Sequence, residues 1–289
     1  MKIVHAKSEL RAHVTAARKA GLTVGFVPTM GYLHQGHLSL VEESKKHTDY
    51  QVMSIFVNRI QFNDPNDFAA YPVDLERDFA LAREAGVDLV FVPDEGEMYT
   101  DSLTFVDVGA LTKNLCGAHR PGHFRGVFTV VSKLFNIVSP DVSVFGQKDI
   151  QQAVSIEKMA ADLDFPVRII ISPTLRESDG LAMSSRNKRL SADERERALA
   201  ISRSLKAAEK LIASGERTSG IITAAMKKII DESRPTKIDY ISAVRYTDLD
   251  YVERIDTKSV IAAAVYYGDT RLIDNMIVDT AGGKAKCVY

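Results

Sequence analysis

Apolar residues in the first half of the chain follow two alternating rhythms. Five short β-branched runs, at 24–27, 52–57, 87–92, 142–145 and 167–171, are apolar on both faces. That is the pattern of strands in a parallel sheet covered by helices on each side. Between them apolar positions recur at helical spacing: Leu75, Phe79 and Ala82 at i, i+4 and i+7, then Val127, Val130, Val131, Leu134 and Val138 as a wider stripe. Ser139-Pro140 ends that stripe, because proline lacks the N–H that would continue a helix. A third amphipathic segment covers 150–163, with Asp149 as its N-cap. Strand and helix in regular alternation predict a doubly wound α/β domain.

Beyond Pro173 the rhythm changes. Ser191 with Glu194 three residues on is a capping box that opens a helix through about Ile212. Gly215 closes it, a second helix covers 221–230, and three strands follow at 238–244, 260–267 and 271–278, with a turn at Gly268-Asp269. Two helices and three adjacent strands make a small α+β module. The predicted division is 1–175 and 176–289, joined by a flexible polar stretch, with the chain frayed from Ala281 onward.

Charge and composition narrow the possible partners. Lys+Arg 37 against Asp+Glu 38 leaves a net charge of -1, without the basic field that nucleic-acid binding requires. Two cysteines far apart, Cys116 and Cys287, fit a reducing compartment better than secretion. No amino-terminal apolar segment reads as a leader and no run is long enough to span a bilayer. The expectation is a cytoplasmic protein that binds neither nucleic acid nor membrane.

Five segments carry candidate chemistry. His34-Gln35-Gly36-His37 follows a buried strand through the turn Pro28-Thr29-Met30-Gly31 and precedes the helical run Leu38, Leu40, Val41. Free N–H groups and the helix dipole at such a point attract an anion, and two histidines there can donate hydrogen bonds to phosphate. A cationic loop from His119 through Arg120, His123 and Arg125 to Gly126 leads into the next helix. In Gly146-Gln147-Lys148-Asp149, Lys148 opposes the dipole at a helix start, which calls for an anion or for pairing with Asp149. The polar stretch 176–187 offers Ser184, Ser185 and Arg186, and Asn58 and Gln61 leave the second strand as neutral hydrogen-bonding groups. No dinucleotide glycine pattern, P-loop, Ser-His-Asp order or metal-ligand spacing is present in the sequence.

These motifs, in order and over essentially the whole chain, resemble the pantoate–β-alanine ligase family. The resemblance rests on residues 28–40, 120–126, 146–152 and 176–187. It implies a Rossmann-like doubly wound parallel sheet with a smaller α+β carboxyl-terminal domain. The implied reaction is ATP-dependent condensation of pantoate with β-alanine through pantoyl adenylate, releasing AMP and pyrophosphate. By the same resemblance, Met30, Gly31, Tyr32, Leu33, His34, Gln35, Gly36 and His37 line the ATP site. So do Gly146, Gln147, Lys148, Asp149, Leu175, Met183, Ser184, Ser185 and Arg186. Catalytic roles fall to His37, His34, Lys148 and Arg186, and Gln61 and Gln152 hold pantoate, with Gln61 also facing β-alanine. Mg²⁺ is implied as a companion of the phosphates, with Asp78 as a possible ligand, and a homodimer is implied through the amino-terminal domain. Arg59 departs from the family, which has proline there, and is expected to free the turn bearing Gln61 and add a charge near it. Two other readings stay open. Another nucleotidyltransferase would share the histidine motif without needing Gln61 and Gln152. A non-catalytic nucleotide sensor would predict loss of His37, Lys148 or Arg186, and all three are present.

Overall fold

The structure, a computed structural model, describes residues 1–63, 65–281 and 285–289. Six strands form one parallel sheet: β1 (Lys2–Val4), β2 (Val24–Thr29), β3 (Tyr50–Ile55), β4 (Leu89–Phe91), β5 (Val142–Gly146) and β6 (Arg168–Ser172), in the order β1-β4-β3-β2-β5-β6. The chain winds outward from β2 through β3 to β4, then resumes at β5 on the other side of β2. Gly25 pairs with Val142 and Phe26 with Ser143 across that reversal. Open parallel sheets bind ligands at such a reversal, beyond the carboxyl ends of the strands. Val27, Leu33, Val41, Met53, Val90 and Val144 belong to one core built on this sheet. The predicted runs become strands with ends shifted by one or two residues, and β1 and the helix Lys7–Lys19 add elements that the sequence reading lacks.

The other helices follow their caps. Helix His123–Val138 starts four residues before the valine stripe, at Gly122 with φ 81°. It ends at Ser139 with φ 50°, directly before Pro140. Ser191 and Glu194 close the expected reciprocal box: Glu194 N–H donates to Ser191 Oγ at 3.2 Å and Ser191 N–H to Glu194 Oε2 at 2.8 Å. Helix Ala192–Ala213 follows, then helix Ser219–Glu232.

The carboxyl-terminal sheet is antiparallel and has four strands, β7 (Lys237–Arg245), β8 (Ser259–Tyr267), β9 (Thr270–Asp279) and β10 (Lys286–Val288), in the order β10-β9-β8-β7. The chain from Ala281 is therefore not frayed throughout: Cys287 pairs with Val278, although residues 282–284 lie outside the described residues. Backbone hydrogen bonding to β9 outweighs the polar, glycine-bearing sequence that precedes β10.

By internal contact the chain divides into two compact units. One holds Met1–Val108, Arg120–Gly146 and Ser155–Ser172; the other holds Gly109–His119, Gln147–Val154 and Pro173–Tyr289. The contiguous division at 175 and 176 differs from this one in where two internal segments belong and in the boundary, which falls between Ser172 and Pro173. Specific side chains bind those segments into the second unit. Gln151 Nε2 donates to the carbonyls of Leu111 and Asn114, both at 2.8 Å, and Asn114 Nδ2 donates to Leu249 O at 3.0 Å.

Candidate active site

In the first unit, β2 ends in a turn with two successive left-handed residues, Gly31 at φ 82° and Tyr32 at φ 51°. A Cβ on Gly31 would lie 2.9 Å from Ile55 Cγ2, so glycine is required on steric as well as conformational grounds. Tyr32 has no such freedom, and a non-glycine residue there costs about 1–3 kcal/mol unless its surroundings hold it. Asp78 holds it. The carboxylate is buried and accepts from Tyr32 N–H and Leu33 N–H, each at 2.7 Å. Burial pushes the Asp78 carboxyl above the usual carboxylate range, against the two backbone bonds and Arg77, which favour its charged form.

The turn delivers His34 as the N-cap of helix Gln35–Lys45. Gly36 N–H donates to His34 Nδ1 at 3.1 Å, and His34 N–H donates to His37 Nδ1 at 3.3 Å. Both Nδ1 atoms accept, so each neutral ring carries its proton on Nε2. The rings lie side by side, with centroids 4.0 Å apart. Two neighbouring N–H donors at the positive end of a helix suit an anion. Leu33 is fully buried, so its contribution to any ligand is through its backbone.

Gln61 closes the 3-10 turn Arg59–Gln61 after β3. Tyr99 Oη donates to Asn58 Oδ1 at 2.8 Å. Asn58 Nδ2 then donates to Gln61 Oε1 at 2.9 Å and to Gly126 O at 3.1 Å. This chain fixes the amide of Gln61 with Nε2 away from Asn58, donating to Met30 Sδ at 2.9 Å. Gln61 therefore turns its donor end, not its carbonyl, away from Asn58. His123, from the cationic loop, donates from Nδ1 to Gln61 O at 2.7 Å and accepts from Arg120 at Nε2 at 3.2 Å, so its role is to pin the turn. Gly126 permits that approach: a Cβ there would sit 2.4 Å from Ile60 O and 2.7 Å from Gln61 Cα. Beside the turn lies a cavity of about 330 Å³ lined in part by Phe62, Phe105 and Arg125.

In the second unit, Lys148 lies in the 3-10 turn Gln147–Asp149 that runs into helix Ile150–Asp162, and its ammonium sits 3.4 Å from Asp149 Oδ2. Pairing with Asp149 thus relieves its conflict with the helix dipole. Gln147 is buried and donates from Nε2 to Asn275 Oδ1 at 3.3 Å and to Val288 O at 2.8 Å. Of the adjacent glutamines, Gln151 is committed to packing, whereas Gln152 is half-buried.

The stretch 176–187 is not the free linker that its polarity suggests. Arg176 makes a bidentate pair with buried Asp274 at 2.7 and 3.1 Å, and Arg195 reaches Glu177 and Asp179 at 2.6 Å each. Asn187 Nδ2 donates to Glu177 Oε1 at 2.6 Å and Ala182 O at 3.0 Å. Within this frame Met183 N–H donates to Leu175 O at 3.0 Å, and Ser184 caps the 3-10 turn Ser185–Arg189. The four residues Leu175, Met183, Ser184 and Arg186 are thus held on one braced segment.

The family model for pantoate-beta-alanine ligase matches residues 2–277. The chain belongs to the pantoate–β-alanine ligase family. Members of this family join pantoate to β-alanine to make pantothenate, and that is the enzymatic activity of this chain. The pantothenate synthetase of Moorella thermoacetica is 51% identical over 280 residues, covering 96% of this chain and 99% of that protein. That of Syntrophus aciditrophicus is 50% identical over 278 residues, covering 96% and 97%. Among solved structures, the Thermus thermophilus pantothenate synthetase superposes with a TM-score of 0.89 at 42% identity, over 95% of this chain and 98% of that one. A Francisella tularensis pantoate-beta-alanine ligase, solved with beta-gamma ATP and beta-alanine, gives 0.78 at 33% identity over 96% and 97%.

Two expectations change against this ligase framework. Asp78 reads as a possible Mg²⁺ ligand in sequence, but each of its oxygens accepts from a backbone N–H, so it anchors the turn instead. Arg59 was expected to place a charge beside Gln61. Its guanidinium is largely exposed and lies 3.7 Å from Glu95 Oε1, which draws the charge to an outer carboxylate. The anchoring residues Asp78, Tyr99, Asn114, Asp274 and Asn275 carry no motif of their own; a buried polar side chain far along the chain from its partner gives no periodic signal.

Proposed function

We propose that this ligase works in two steps and that the motif residues divide the labour as follows. Pantoate carboxylate attacks the α-phosphate of ATP, forming pantoyl adenylate and expelling pyrophosphate. The amine of β-alanine then attacks the acyl carbon, loses its proton and expels AMP. His34 and His37 direct their Nε2–H donors at the phosphates, while Lys148, Ser184, Ser185 and Arg186 hold them. Met30 to His37, Gly146 to Asp149, Leu175 and Met183 line the nucleotide site, with Leu175 against the adenine. Gln61 and Gln152 hold pantoate by neutral amides, which leave its carboxylate more nucleophilic than an arginine pair would. Mg²⁺, carried by the phosphates and water, neutralises charge there; the commitment of Asp78 to backbone N–H groups argues against a protein ligand at that position. On this reading residues 1–175 bind nucleotide and pantoate, residues 176–289 serve as a lid, and the enzyme is a cytoplasmic homodimer. Among the described residues no helix is long and apolar enough to cross a membrane.

The observation that carries this reading is that the Nδ1 atoms of His34 and His37 both accept backbone N–H groups, which leaves Nε2–H as the donor of each neutral ring before any substrate arrives. Preorganised donors facing growing charge are usually the largest catalytic contribution, and removal of one costs about 10²–10³ in rate. His37→Ala is expected to slow pantoate-dependent ATP–pyrophosphate exchange by that factor. The same variant should convert supplied pantoyl adenylate and β-alanine at near wild-type rate, and His37→Asn should recover part of the exchange. Survival of exchange with failure of amide formation would assign His37 to the second step instead.

A further inference from the structure

The second unit carries two consecutive buried polar residues on β9, Asp274 and Asn275, that are 3% and 1% exposed. A strand residue and its neighbour point to opposite faces, yet both of these side chains hold segments that bear candidate phosphate ligands. Asn275 Nδ2 donates to Gln147 O at 2.9 Å and to Lys148 O at 3.0 Å, while its Oδ1 accepts from Gln147 Nε2 at 3.3 Å. Both amide protons and the amide oxygen are thus engaged with the two residues of the Lys148 turn. Asp274 takes the guanidinium of Arg176 at 2.7 and 3.1 Å, and Arg176 also donates to Gly180 O at 3.2 Å. Asp274 Oδ1 further accepts from Asn275 N–H at 2.8 Å, which ties the two anchors together.

Structural need alone does not account for so complete a set. A strand in an antiparallel sheet can fill these positions with apolar residues, and burying a carboxylate with its arginine is often no better for stability than a well-packed apolar pair. What the pair does provide is a fixed origin for two loops widely separated in sequence.

We propose that Asn275 is a positioning residue for Lys148, and that Asp274 does the same, through Arg176, for the segment bearing Ser184 to Arg186. β9 would then be the common base of the phosphate-holding side chains. The inference rests on the reading that Lys148 holds ATP phosphates. A cation that must meet charge developing in a transition state loses its value when displaced, and a misplacement of about 1 Å can cost about 10²-fold in rate.

The test is a double-mutant cycle on the full-length enzyme with Lys148→Ala, Asn275→Ala and the pair, read by ATP–pyrophosphate exchange and by the KM values for ATP and pantoate. Asn275→Ala should slow exchange about 10- to 100-fold and raise the KM for ATP. It should leave the KM for pantoate and the conversion of supplied pantoyl adenylate near wild type. In the background of Lys148→Ala, the added change at Asn275 should cost less than threefold, because the group being positioned is gone. Multiplicative effects in the cycle, or equal shifts for ATP and pantoate, would overturn the proposal. If Lys148→Ala itself leaves exchange and the KM for ATP intact, the reading of Lys148 fails first, and the cycle separates that failure from this one. Should Asn275→Ala fold poorly, Asn275→Ser retains one donor and should fall between wild type and alanine in exchange rate; wild-type exchange in Asn275→Ser with stability lost would again overturn it.

Discussion

At the scale of single residues, hydrogen-bond direction decides chemistry. Asparagine and glutamine amides are symmetric in shape and opposite in polarity at their two ends. Which end of Gln61 faces Asn58 is settled by the Gly126 carbonyl, which can only accept and so must meet the Nδ2 end of Asn58. Burial raises the Tyr99 phenol well above its ordinary value, so the hydroxyl stays a donor across the working pH range. Asn58→Asp keeps the size and removes the donor toward Gln61. The Gln61 amide should then turn its Nε2 to the new carboxylate and present its carbonyl to pantoate. The expected outcome is a KM for pantoate raised by about tenfold or more, as for the loss of a charge-assisted hydrogen bond, with the KM for ATP unchanged. Equal KM shifts for the two substrates would show that Asn58 acts on the fold at large. In the sequence, Asn58 and Gln61 stand out as polar groups at a strand end. The polarity of that pair is invisible there, because the carbonyl that sets it, Gly126 O, lies 68 residues on.

At the scale of elements, the strand-to-helix turn after β2 is a strained connection held by a remote carboxylate. Asp78→Asn leaves one oxygen for two N–H donors and sets an NH₂ against one of them. Leaving a buried donor unsatisfied costs about 1–3 kcal/mol, so thermal or denaturant unfolding should register a loss of that size. Pyrophosphate exchange should slow as His34 and His37 lose their fixed placement. Raising Mg²⁺ should not restore it. Recovery of exchange by added Mg²⁺ would return Asp78 to the role of metal ligand. The turn itself is legible from Gly31 and from the histidines that follow; its anchor is not, since Asp78 sits on an exposed-looking helical stretch between Arg77 and Phe79.

At the scale of the whole molecule, the antiparallel unit is stapled by charge as well as by packing. Asp239 is buried, which by itself raises its pKa, but the hydrogen bonds and charges of Lys237 and Arg271 and the charge of His119 hold its carboxyl below the ordinary value. Arg271 Nε donates to Asp239 Oδ2 at 2.8 Å, and Lys237 Nζ lies 2.8 Å from Oδ1. A group depressed in the folded state contributes stability that is present above its unfolded pKa and is lost as pH falls through the folded one. The contribution of Asp239 should therefore be complete above about pH 4 and decline progressively below it, as pH falls through the folded pKa. In unfolding experiments between pH 5 and pH 2, Asp239→Asn should be less stable than wild type at pH 5, and the gap should narrow toward pH 2. A gap that stays constant would assign the loss to packing.

The sequence alone determined the alternation of strand and helix, because burial on both faces or on one stripe leaves a local period that neighbouring residues must share. It also determined the turns and caps, where Gly31, Gly122, Ser139-Pro140 and the Ser191–Glu194 box each act within a few residues of themselves. The ordered motifs likewise fixed the family and its reaction. Tertiary structure decided what joins residues distant along the chain. It assigned Gly109–His119 and Gln147–Val154 to the unit that holds β9, added β10 to that sheet, and turned a polar linker into a segment braced by Asp274, Glu177 and Arg195. A buried polar side chain must find a partner wherever the fold brings one, and the identity of that partner is a property of three-dimensional contact rather than of spacing.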